Sequence, residues 1–419
     1  MNNTLWGPIG DYCYFENGDR GVNYPNKNDL LPVGIPFLNA GDIVDNKLVG
    51  YGYECISESK FDTLRAGKVK RGDILFCLRG TIGKCAISDL DSAAIASSLV
   101  IIRCNQKMLP KYLYYVLISD YFQRCMANCD NGSVQGNMSV DTLKTIAIPV
   151  PSLQIQQSIV DVLSSIDDKI DNNRKLMAEL ETTASLVYDE WFVRFDFPDV
   201  DGRPYRSSGG AMAWNDKLKH EIPAGWKART FGSLVSCNER QFAELPESIL
   251  YLDTSGLTNN NLADYQVLNR REEFPSRAKR PVKDNDILFS TVRPDQCHFG
   301  MLKHVAPNVV VSTGFAVITS RVGARFSSVL YLFLTQKAVL KYLQAIAISS
   351  TSSYPSIDPS DILNLEVAVP QNMDEIGALA DYLDLLYEYR WTLQSQNHEL
   401  QYLRNFLLPM LMNGQVRVE

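Results

Sequence analysis

Three short stretches of the chain contain residue types that serve catalysis or metal binding, but each lacks a required partner. Residues 79–85 read RGTIGKC, yet a phosphate-binding loop needs Gly five positions before its second Gly, and Leu78 stands there. Cys125 and Cys129 have the spacing of two metal ligands on one helical face, but no second Cys or His pair at zinc spacing accompanies them. The Pro-Asp at 294–295 is not followed by the Glu-x-Lys of a nuclease carboxylate cluster. We therefore expect no catalytic centre, no metal site and no cofactor in this chain.

Two polar turns have the residue types that contact DNA. One spans residues 79–84 and the other residues 293–303, and each follows a predicted strand. Arg and Lys suit phosphate contacts, while Thr and Gln suit hydrogen bonds to base edges. The alternative interpretation of the first turn is an ordinary hairpin stabilised by Gly80 and Gly83. The candidate DNA contacts in these turns are Arg79, Thr81, Lys84, Arg293, Gln296 and Lys303.

A second pair of polar loops occurs at residues 131–139 (NGSVQGNMS) and 349–356 (SSTSSYPS), each before an apolar closing strand. Loops on a rigid scaffold often carry binding residues, although a polar loop is more commonly a simple connection. The candidate contacts here are Gln135, Asn137, Ser352 and Tyr354.

The two halves of the chain repeat one another. IPFLNAGDIVDNKL from Ile35 matches ILYLDTSGLTNNNL from Ile249, at an offset of 214 residues. RGDILFCLRG from Arg71 matches DNDILFSTVR from Asp284, at an offset of 213 residues. LKTIAIPVP and ILNLEVAVP close the two halves, and a long helical pattern follows each. The sequence thus predicts two copies of one unit, a module followed by a long helix.

Each module combines strand and helix patterns. Apolar, β-branched runs predict strands at residues 73–78, 98–103, 286–290 and 309–312. Helical patterns begin near Lys111 and Val329, before the closing strand of each module. The predicted fold class is α+β, with two pseudo-symmetric α/β modules joined by two long helices.

Both long helices have apolar residues spaced alternately by three and four, which is typical of a coiled-coil seam. Each helix therefore needs a partner, and the nearest candidate is the other helix. Asn173 and Asn397 lie on the two seams, where an Asn either fixes the register or stays solvated. The predicted seam comprises Ile159, Val162, Ile166, Ile170, Asn173, Met177, Leu180, Leu379, Leu383, Leu386, Leu393, Asn397, Leu400 and Leu407.

The predicted domain boundaries follow from these patterns and from a segment rich in Gly, Pro, Ser and Asp. The segments are a first module (1–151), a central helix (152–197), a linker (198–222), a second module (223–370), a C-terminal helix (371–414) and a tail (415–419).

The charge of the chain is concentrated on the helices. The formal net charge is -7, from 41 Lys and Arg against 48 Asp and Glu. Counted by segment, the modules carry 0 and +2, whereas the two helices carry -5 and -4. The modules could therefore present a basic face to DNA, while phosphate would repel the helices. Acidic helices suit a protein partner, or the acidic residues simply solvate the outer faces.

The composition, with 45% hydrophobic and 21% charged residues, is that of a globular protein of two to three domains. No stretch approaches the roughly 18 apolar residues of a membrane span, and the start lacks a leader pattern. We expect a cytoplasmic protein with no membrane partner, whose nine Cys residues are mostly reduced core thiols.

The segments DDKIDNNRKL, DEWFVRF and EIPAGW, in this order, resemble the central region of specificity subunits of Type I restriction-modification systems. The resemblance covers essentially the whole chain, as two target recognition domains each followed by a long helix. Two departures stand out: Gln156-Gln157 replaces the usual Glu-Gln, and the second helix opens with an atypical QNMDEIGAL.

The resemblance implies a non-catalytic subunit that binds double-stranded DNA through both modules. It implies that the helices pack antiparallel and recruit two methyltransferase subunits, which are later joined by two restriction-translocation subunits. These partner subunits use S-adenosylmethionine, ATP and Mg²⁺. Because the modules differ, the expected target is asymmetric and bipartite, with helix length setting the spacer and an adenine methylated in each half-site. The alternatives are a coiled-coil scaffold without a DNA role and a stand-alone DNA-modifying enzyme.

Overall fold

The computed structural model describes residues 5–129, 138–242, 244, 246–270, 273–350, 354–412 and 415–416. The chain divides into two compact units: Met1–Lys169 with Leu400–Glu419, and Ile170–Glu399. Both boundaries fall inside the long helices, so each unit holds one module and part of each long helix.

In the first unit, two four-stranded sheets and several helices form the module. The strands are β1 Leu5–Pro8, β2 Cys13–Asn17, β3 Ile35–Leu38, β4 Ile43–Val44, β5 Lys47–Leu48, β6 Cys55–Ile56, β7 Lys68–Val69, β8 Ile74–Cys77, β9 Cys85–Ile87, β10 Ala93–Ile95, β11 Leu99–Cys104 and β12 Ala147–Val150. The helices are α1 Glu58–Thr63, α2 Pro110–Ile118, α3 Asp120–Cys129, α4 Val140–Thr145 and the start of α5 Leu153–Phe192. The sheets have the strand orders β6-β3-β10-β7 and β2-β11-β8-β9, and β1 pairs with β12.

The second unit repeats this plan. Its strands are β13 Met212–Asn215, β14 His220–Pro223, β15 Trp226–Thr230, β16 Val235–Cys237, β17 Ile249–Leu252, β18 Leu257–Thr258, β19 Asn261–Leu262, β20 Gln266–Leu268, β21 Ala278–Pro281, β22 Ile287–Ser290, β23 Phe299–Met301, β24 Val309–Ser312, β25 Phe315–Ser320 and β26 Glu366–Pro370. Its helices are α6 Ser327–Leu334, α7 Lys337–Ser349, α8 Pro359–Leu363 and the first part of α9 Gly377–Met412. The sheet orders are β20-β17-β24-β21 and β16-β25-β22-β23, and β15 pairs with β26.

The two modules share more than strand order. Each has one parallel strand pair, β3 with β10 and β17 with β24, in sheets that are otherwise antiparallel. The sequence repeat is therefore a repeat of the fold, and the predicted fold class is confirmed.

A tight hairpin turn at the same place in both modules shows how the repeat fixes local structure. Asp45 and Asn46 have φ of 51° and 58°, and Asn259 and Asn260 have φ of 46° and 61°. Consecutive left-handed residues form the hairpin turn whose twist matches the flanking strands, and Asn and Asp tolerate this conformation best. The matched DN and NN pairs in the two repeats are thus explained by backbone geometry.

The strand before the first polar turn is buried on both faces. In β8, Ile74 and Phe76 pack against the helices, in one cluster with Tyr112 and Phe122. Leu75 faces the other sheet, in a cluster with strand residues of β3, β10 and β11. Its counterpart β22 is likewise buried at every position. This two-sided burial explains why both strands read as continuous apolar runs rather than alternating patterns.

The two long helices run antiparallel within each unit. In the first unit, Arg404 Nη1 of α9 lies 2.9 Å from Asp167 Oδ1 of α5. Earlier residues of α5, such as Leu163, cluster with later residues of α9, such as Leu411. In the second unit, Asn173 contacts Asn397 and Glu181 contacts Arg390, so one number rises as the other falls. At 1.5 Å per residue, α5 extends about 60 Å and α9 about 54 Å.

The segment predicted as a linker, residues 198–222, is instead folded in the second unit. Strands β13 and β14 form a hairpin, and Ile222 is buried with Phe195 and Ala368. Within the segment, the ring of Tyr205 stacks on that of Phe197 at 4.8 Å between centroids. The linker prediction is therefore corrected: the Gly and Pro residues serve tight turns, and the aromatic residues between them supply the packing.

The cysteines whose side chains are described are free thiols. In the described ranges, no helix has both the length and the apolarity needed to cross a membrane.

Candidate nucleic-acid interface

The first polar turn, residues 79–84, lies in the connection between β8 and β9 of the first module. The side chains of Arg79, Thr81 and Lys84 are exposed. The amide of Gly83 donates to the Cys77 carbonyl over 3.2 Å, and the Cys77 amide donates to the Lys84 carbonyl over 2.8 Å. Burial raises the pKa of Cys77, and the Thr81 hydroxyl and the Lys84 charge partly offset this rise. The turn thus holds two cations and a hydroxyl at the surface on a closed hairpin.

Helix α3 holds this turn in place. Gln123 Nε2 donates to the Gly83 carbonyl over 3.3 Å and to the Leu117 carbonyl over 2.8 Å. Gly83 has φ of +91°, and a Cβ there would lie 2.5 Å from Met126 Cε. Gly suits this position, because its positive φ disfavours a side chain and a Cβ would force the ends of the Met126 and Gln123 side chains to shift. The exposed side chains of the turn therefore project from a rigid base.

The polar loop that precedes β12 returns to the same place. The Met138 amide donates to the Leu78 carbonyl over 3.0 Å, directly before the first polar turn. The candidate contacts Gln135 and Asn137 lie outside the described residues. The structure thus places the end of the polar loop 131–139 beside the start of the polar turn 79–84.

The second module brings its two polar segments together in the same way. The Arg293 amide donates to the Pro355 carbonyl over 2.9 Å, and Val292 bridges to Ser356. Arg293 Cζ lies 5.5 Å from the centroid of the Tyr354 ring, within range of a cation–π contact. The side chains of Arg293 and Tyr354 are exposed, as is that of Gln296. Ser352 lies outside the described residues.

A glutamine of the second helix supports the turn in this module too. The Asp295 amide donates to Gln344 Oε1 of α7 over 3.2 Å, as Gln123 of α3 bonds the backbone of the other turn. Sequence reasoning did not single out either glutamine. The sequence feature that could have indicated them is that both glutamines lie in the second of two consecutive helices of their repeat.

Lys303 is not part of this surface. It is 2% exposed, and its Nζ forms an ion pair with Asp384 of α9 and lies 2.9 Å from Glu388 Oε1. The candidate assignment of Lys303 to DNA is therefore wrong, because this residue, which follows β23, is buried against two carboxylates of α9.

The seam residues of the long helices differ in burial. The buried ones are Ile159, Ile166, Ile170, Asn173, Met177, Leu379, Leu383, Leu393 and Asn397. The half-buried ones are Val162, Leu180, Leu386, Leu400 and Leu407. Several of these residues pack on the module as well as on the other helix: Ile159 lies in the first-module core and Leu383 in the second-module core.

Polar residues also lie buried between the helices of the second unit. Asn173 Nδ2 donates to Asn397 Oδ1 over 2.9 Å, and Asn397 Nδ2 lies 3.4 Å from the Ile170 carbonyl. The two amides thus bond each other, an arrangement that favours one register.

A second polar contact lies nearer the start of α9. The seam prediction did not include it. Arg390 is 4% exposed, and its Nε lies 3.1 Å from Glu181 Oε2. Tyr331 and Tyr387 donate to the other oxygen of Glu181, over 3.1 and 3.3 Å. Burial, with the charge of Glu181, raises the pKa of both phenols well above the ordinary value. These residues fix the helix pair to the core of the module.

Within the described ranges, no group of three or more His, Cys, Asp or Glu is arranged to hold a metal ion.

Comparison with known proteins shows which proteins the chain resembles. Residues 8–182 match the family model of the Type I restriction modification DNA specificity domain. The chain is 22% identical to the HindI specificity subunit of Haemophilus influenzae, over 97% of this chain and 100% of the relative. It is 24% identical to the MjaIX specificity subunit of Methanocaldococcus jannaschii, over 92% of this chain and 87% of the relative.

The fold has a solved counterpart. The S subunit of a Type I restriction-modification system from M. genitalium aligns with a TM-score of 0.57 at 15% identity, covering 98% of this chain and 97% of that one. At this identity the likeness concerns the fold alone. Along nearly its whole length the chain is similar in sequence to specificity subunits of Type I restriction enzymes.

Proposed function

We propose that this chain is the non-catalytic subunit that selects the DNA sequence for a Type I restriction-modification complex. Each module reads one half of an asymmetric, bipartite site, and the antiparallel helices set the length of the unread spacer. The chemistry belongs to partner subunits: two methyltransferase subunits use S-adenosylmethionine, and two restriction-translocation subunits use ATP and Mg²⁺. An adenine is methylated in each half-site, on opposite strands.

One observation carries this proposal: two modules of one topology present different residues at the same place. The first module presents Arg79, Thr81 and Lys84 on its turn, and the second presents Arg293 and Gln296. In each, a glutamine from the following helices bonds the turn backbone, and the second polar segment returns to the turn. A common scaffold with different surface groups is what two unlike half-sites require.

The helices have surfaces suited to protein partners. They carry the net negative charge of the chain, which disfavours phosphate. Helix α9 also leaves large apolar side chains exposed, including Tyr382, Leu385 and Tyr389 in the second unit, spaced on one face by three and four. Exposed apolar groups on a charged helix support a role in recruiting the methyltransferase subunits.

The first test is methylome sequencing of a host that expresses this chain with its methyltransferase subunit, compared with the methyltransferase alone. We expect a new N6-methyladenine motif made of two unlike half-sites with a fixed gap. If both proteins are soluble and associated but no motif appears, the chain is a scaffold rather than a reader. Methyl transfer to DNA by the purified chain alone would instead identify a stand-alone enzyme.

The role of the first turn is tested by replacing Arg79 and Lys84 with Ala in the assembled complex. Losing two phosphate contacts should weaken binding to a duplex containing the site and lower the slope of log K against log salt by about two. The matched control replaces Lys107 and Lys111, exposed cations of the same module outside both polar segments. Equal binding by the two double variants would remove the turn from the interface.

The role of the helices is tested at exposed and buried leucines of α9. Leu385→Asp changes a side chain that is 66% exposed, so it should preserve folding while weakening methyltransferase binding. Val267→Asp, at a 62% exposed side chain of the second module, is the control and should leave binding unchanged. Replacing Leu383 and Leu386 with Asp should disrupt the helix pair and assembly together. An intact complex after that double change would contradict the seam assignment.

A further inference from the structure

A cavity of about 200 Å³ lies in the second module, between β16, β21 and β25. We call it the basic cavity: its lining includes Arg240, Arg280 and Lys283, together with Ser236, Asn238 and Thr319. Glu239 is the one acidic residue among the lining residues that the structure describes, and it forms an ion pair with Arg321. The cavity therefore has a surplus of positive charge.

The two guanidinium groups in this cavity differ in their partners. Arg240 forms an ion pair with Asp286, and its Nη1 donates to Thr319 Oγ1 over 3.2 Å. Arg280 has no carboxylate partner among the described residues, and its Nη1 is buried without an acceptor, as is Nε of Arg240. Burial lowers the pKa of Arg280 below its ordinary value. A buried N–H donor of a cation is costly when it lacks an acceptor, so this site is incomplete as it stands.

The described residues of the first module pack closely at the corresponding place. Strand register places Gly67 at the position of Arg280 and Gly18 at the position of Arg240. A Cβ at Gly67 would lie 2.7 Å from the Cα of Gly18, so the two backbones touch where the second module has two arginines. The fold does not require a cavity at this point. The two arginines and the space between them are particular to the second module.

We propose that the basic cavity binds a phosphate group. Its donors are the free guanidinium N–H groups, the Ser236 hydroxyl and the Asn238 amide nitrogen, since the Asn238 oxygen already accepts from the Val317 amide. Arginine presents N–H groups in a planar fork that matches two oxygens of a phosphate. A phosphate would supply the missing acceptors and neutralise the surplus charge in one step.

The phosphate group has two possible sources. It is either a free phosphate ion, or a backbone phosphate of the DNA that the second module reads. The second source rests on the proposed function, whereas the first does not. The experiment therefore has two arms, one without DNA.

The variant for both arms is Arg280→Met, which keeps the apolar stem and removes the guanidinium. Lys279→Met is the matched control, because Lys279 is the neighbouring residue of β21, is exposed and carries the same charge. Arg280→Lys is a second variant that keeps the charge but not the fork. Arg240 is unsuitable, since its loss would leave Asp286 without its ion pair.

The first arm measures the melting temperature of the full-length chain with inorganic phosphate and with chloride at equal ionic strength. Phosphate should raise the melting temperature of the unchanged chain and of Lys279→Met by several degrees more than chloride. Arg280→Met should show no phosphate-specific rise, and should melt higher than the unchanged chain without phosphate, because a half-buried cation without a carboxylate partner among the described residues has been removed. Arg280→Lys should keep a reduced response.

The second arm measures binding of the assembled complex to a duplex that contains its site. Arg280→Met should weaken binding about tenfold, relative to Lys279→Met, if the occupant is a DNA phosphate. Loss of the phosphate-specific rise with unchanged DNA binding would assign the cavity to free phosphate. If Arg280→Met and Lys279→Met behave alike in both arms, the proposal is overturned. Failure of the unchanged complex to bind any duplex would contradict the proposed function, and the first arm would still decide the cavity.

Discussion

The two modules bury a carboxylate at the same point of the fold but neutralise it differently. Asp73 precedes β8 and Asp286 precedes β22, and they are 6% and 0% exposed. Each accepts a hydrogen bond from the amide three residues earlier, that of Lys70 over 2.9 Å and that of Lys283 over 2.8 Å. The repeat has therefore kept the carboxylate and its turn in both halves.

In the first module, one arginine lies between two carboxylates. Arg103 of β11 donates through Nε and Nη2 to the two oxygens of Asp73, over 2.8 and 2.7 Å, and also pairs with Glu16. In the second module, Thr319 occupies the position of Arg103 in β25 and donates to Asp286 over 2.6 Å. The cation is Arg240, which comes from the segment after β16.

The difference shows that the fold specifies a neutralised carboxylate, not the residue that neutralises it. A cation reaches Asp73 from 30 residues later in the chain and reaches Asp286 from 46 residues earlier. The first module consequently has one carboxylate more than it has cations at this point. The second has a surplus of cations, which is the physical origin of the basic cavity.

The largest expected effect is that of Arg103→Met. Removing this cation leaves Asp73 buried without its ion pair and beside Glu16, and breaking such a pair costs about 3 kcal/mol of the free energy of unfolding. Chemical denaturation measures the loss, and hydrogen exchange of the β8 and β11 amides localises it to the first module.

Arg71→Met is the control for that variant. Arg71 and Asp91 form an ion pair in the same module, but their side chains are 62% and 84% exposed, so its loss should destabilise the fold far less than Arg103→Met. Equal losses for the two variants would contradict the view that Asp73 depends on its partner.

The next effect is that of Arg240→Met, and it depends on pH. Burial raises the pKa of Asp286 above the ordinary value, and the bonds from Thr319 and the charge of Arg240 partly offset this rise. A raised folded-state pKa means that ionisation disfavours the folded state at neutral pH. Without Arg240 the pKa should rise further, so the free energy of unfolding should fall by about 2 kcal/mol at pH 7.

The same loss should shrink as the pH is lowered through the folded-state pKa of Asp286 toward the ordinary value of 3.8, because the carboxyl then becomes neutral in both states. Denaturation of Arg240→Met and of the unchanged chain at pH 7 and at pH 4.5 measures this change. A loss that is the same at both pH values would show that Arg240 acts by packing alone.

The architecture could be predicted from the sequence because the internal repeat shows the pattern of one fold twice. The motif from Ile35 reappears at Ile249 with the same hairpin turn, and the apolar runs before both polar turns became fully buried strands. The spacing of threes and fours on the long helices depends only on local periodicity, which the sequence records directly.

Contacts between distant residues were not accessible in this way. Lys303 looked like part of a basic turn, but the tertiary fold pairs it with Asp384, 81 residues later. The segment 198–222 has the composition of a linker, and its packing depends on aromatic contacts such as that of Tyr205 with Phe197. The arginine that would serve Asp286 could not be chosen either, since strand register decides it and nothing local indicates it.

A smaller effect is expected from Thr319→Val, which keeps the shape of the side chain and removes the hydroxyl. Asp286 loses one of its donors, and a hydrogen bond to a charged group contributes about 1.5 kcal/mol. The free energy of unfolding of the second module should fall by that amount. Thr319→Ser, which retains the hydroxyl, should recover most of the loss, and a Ser variant as unstable as the Val variant would assign the effect to the methyl group.

The smallest effect tests the extra carboxylate of the first module. The strand register places Glu16 at the position of Asn238 in the second module. Glu16→Gln therefore gives the first module a neutral amide side chain, as Asn238 provides in the second. Glu16 Oε1 accepts from the Gly67 amide over 2.6 Å, and a Gln oxygen keeps that bond. Arg103 keeps its two bonds to Asp73, and the Glu16 side chain is 33% exposed, so the loss should be only about 0.5 kcal/mol. A loss as large as that of Arg103→Met would mean that Glu16, rather than Asp73, is the carboxylate on which this arginine depends.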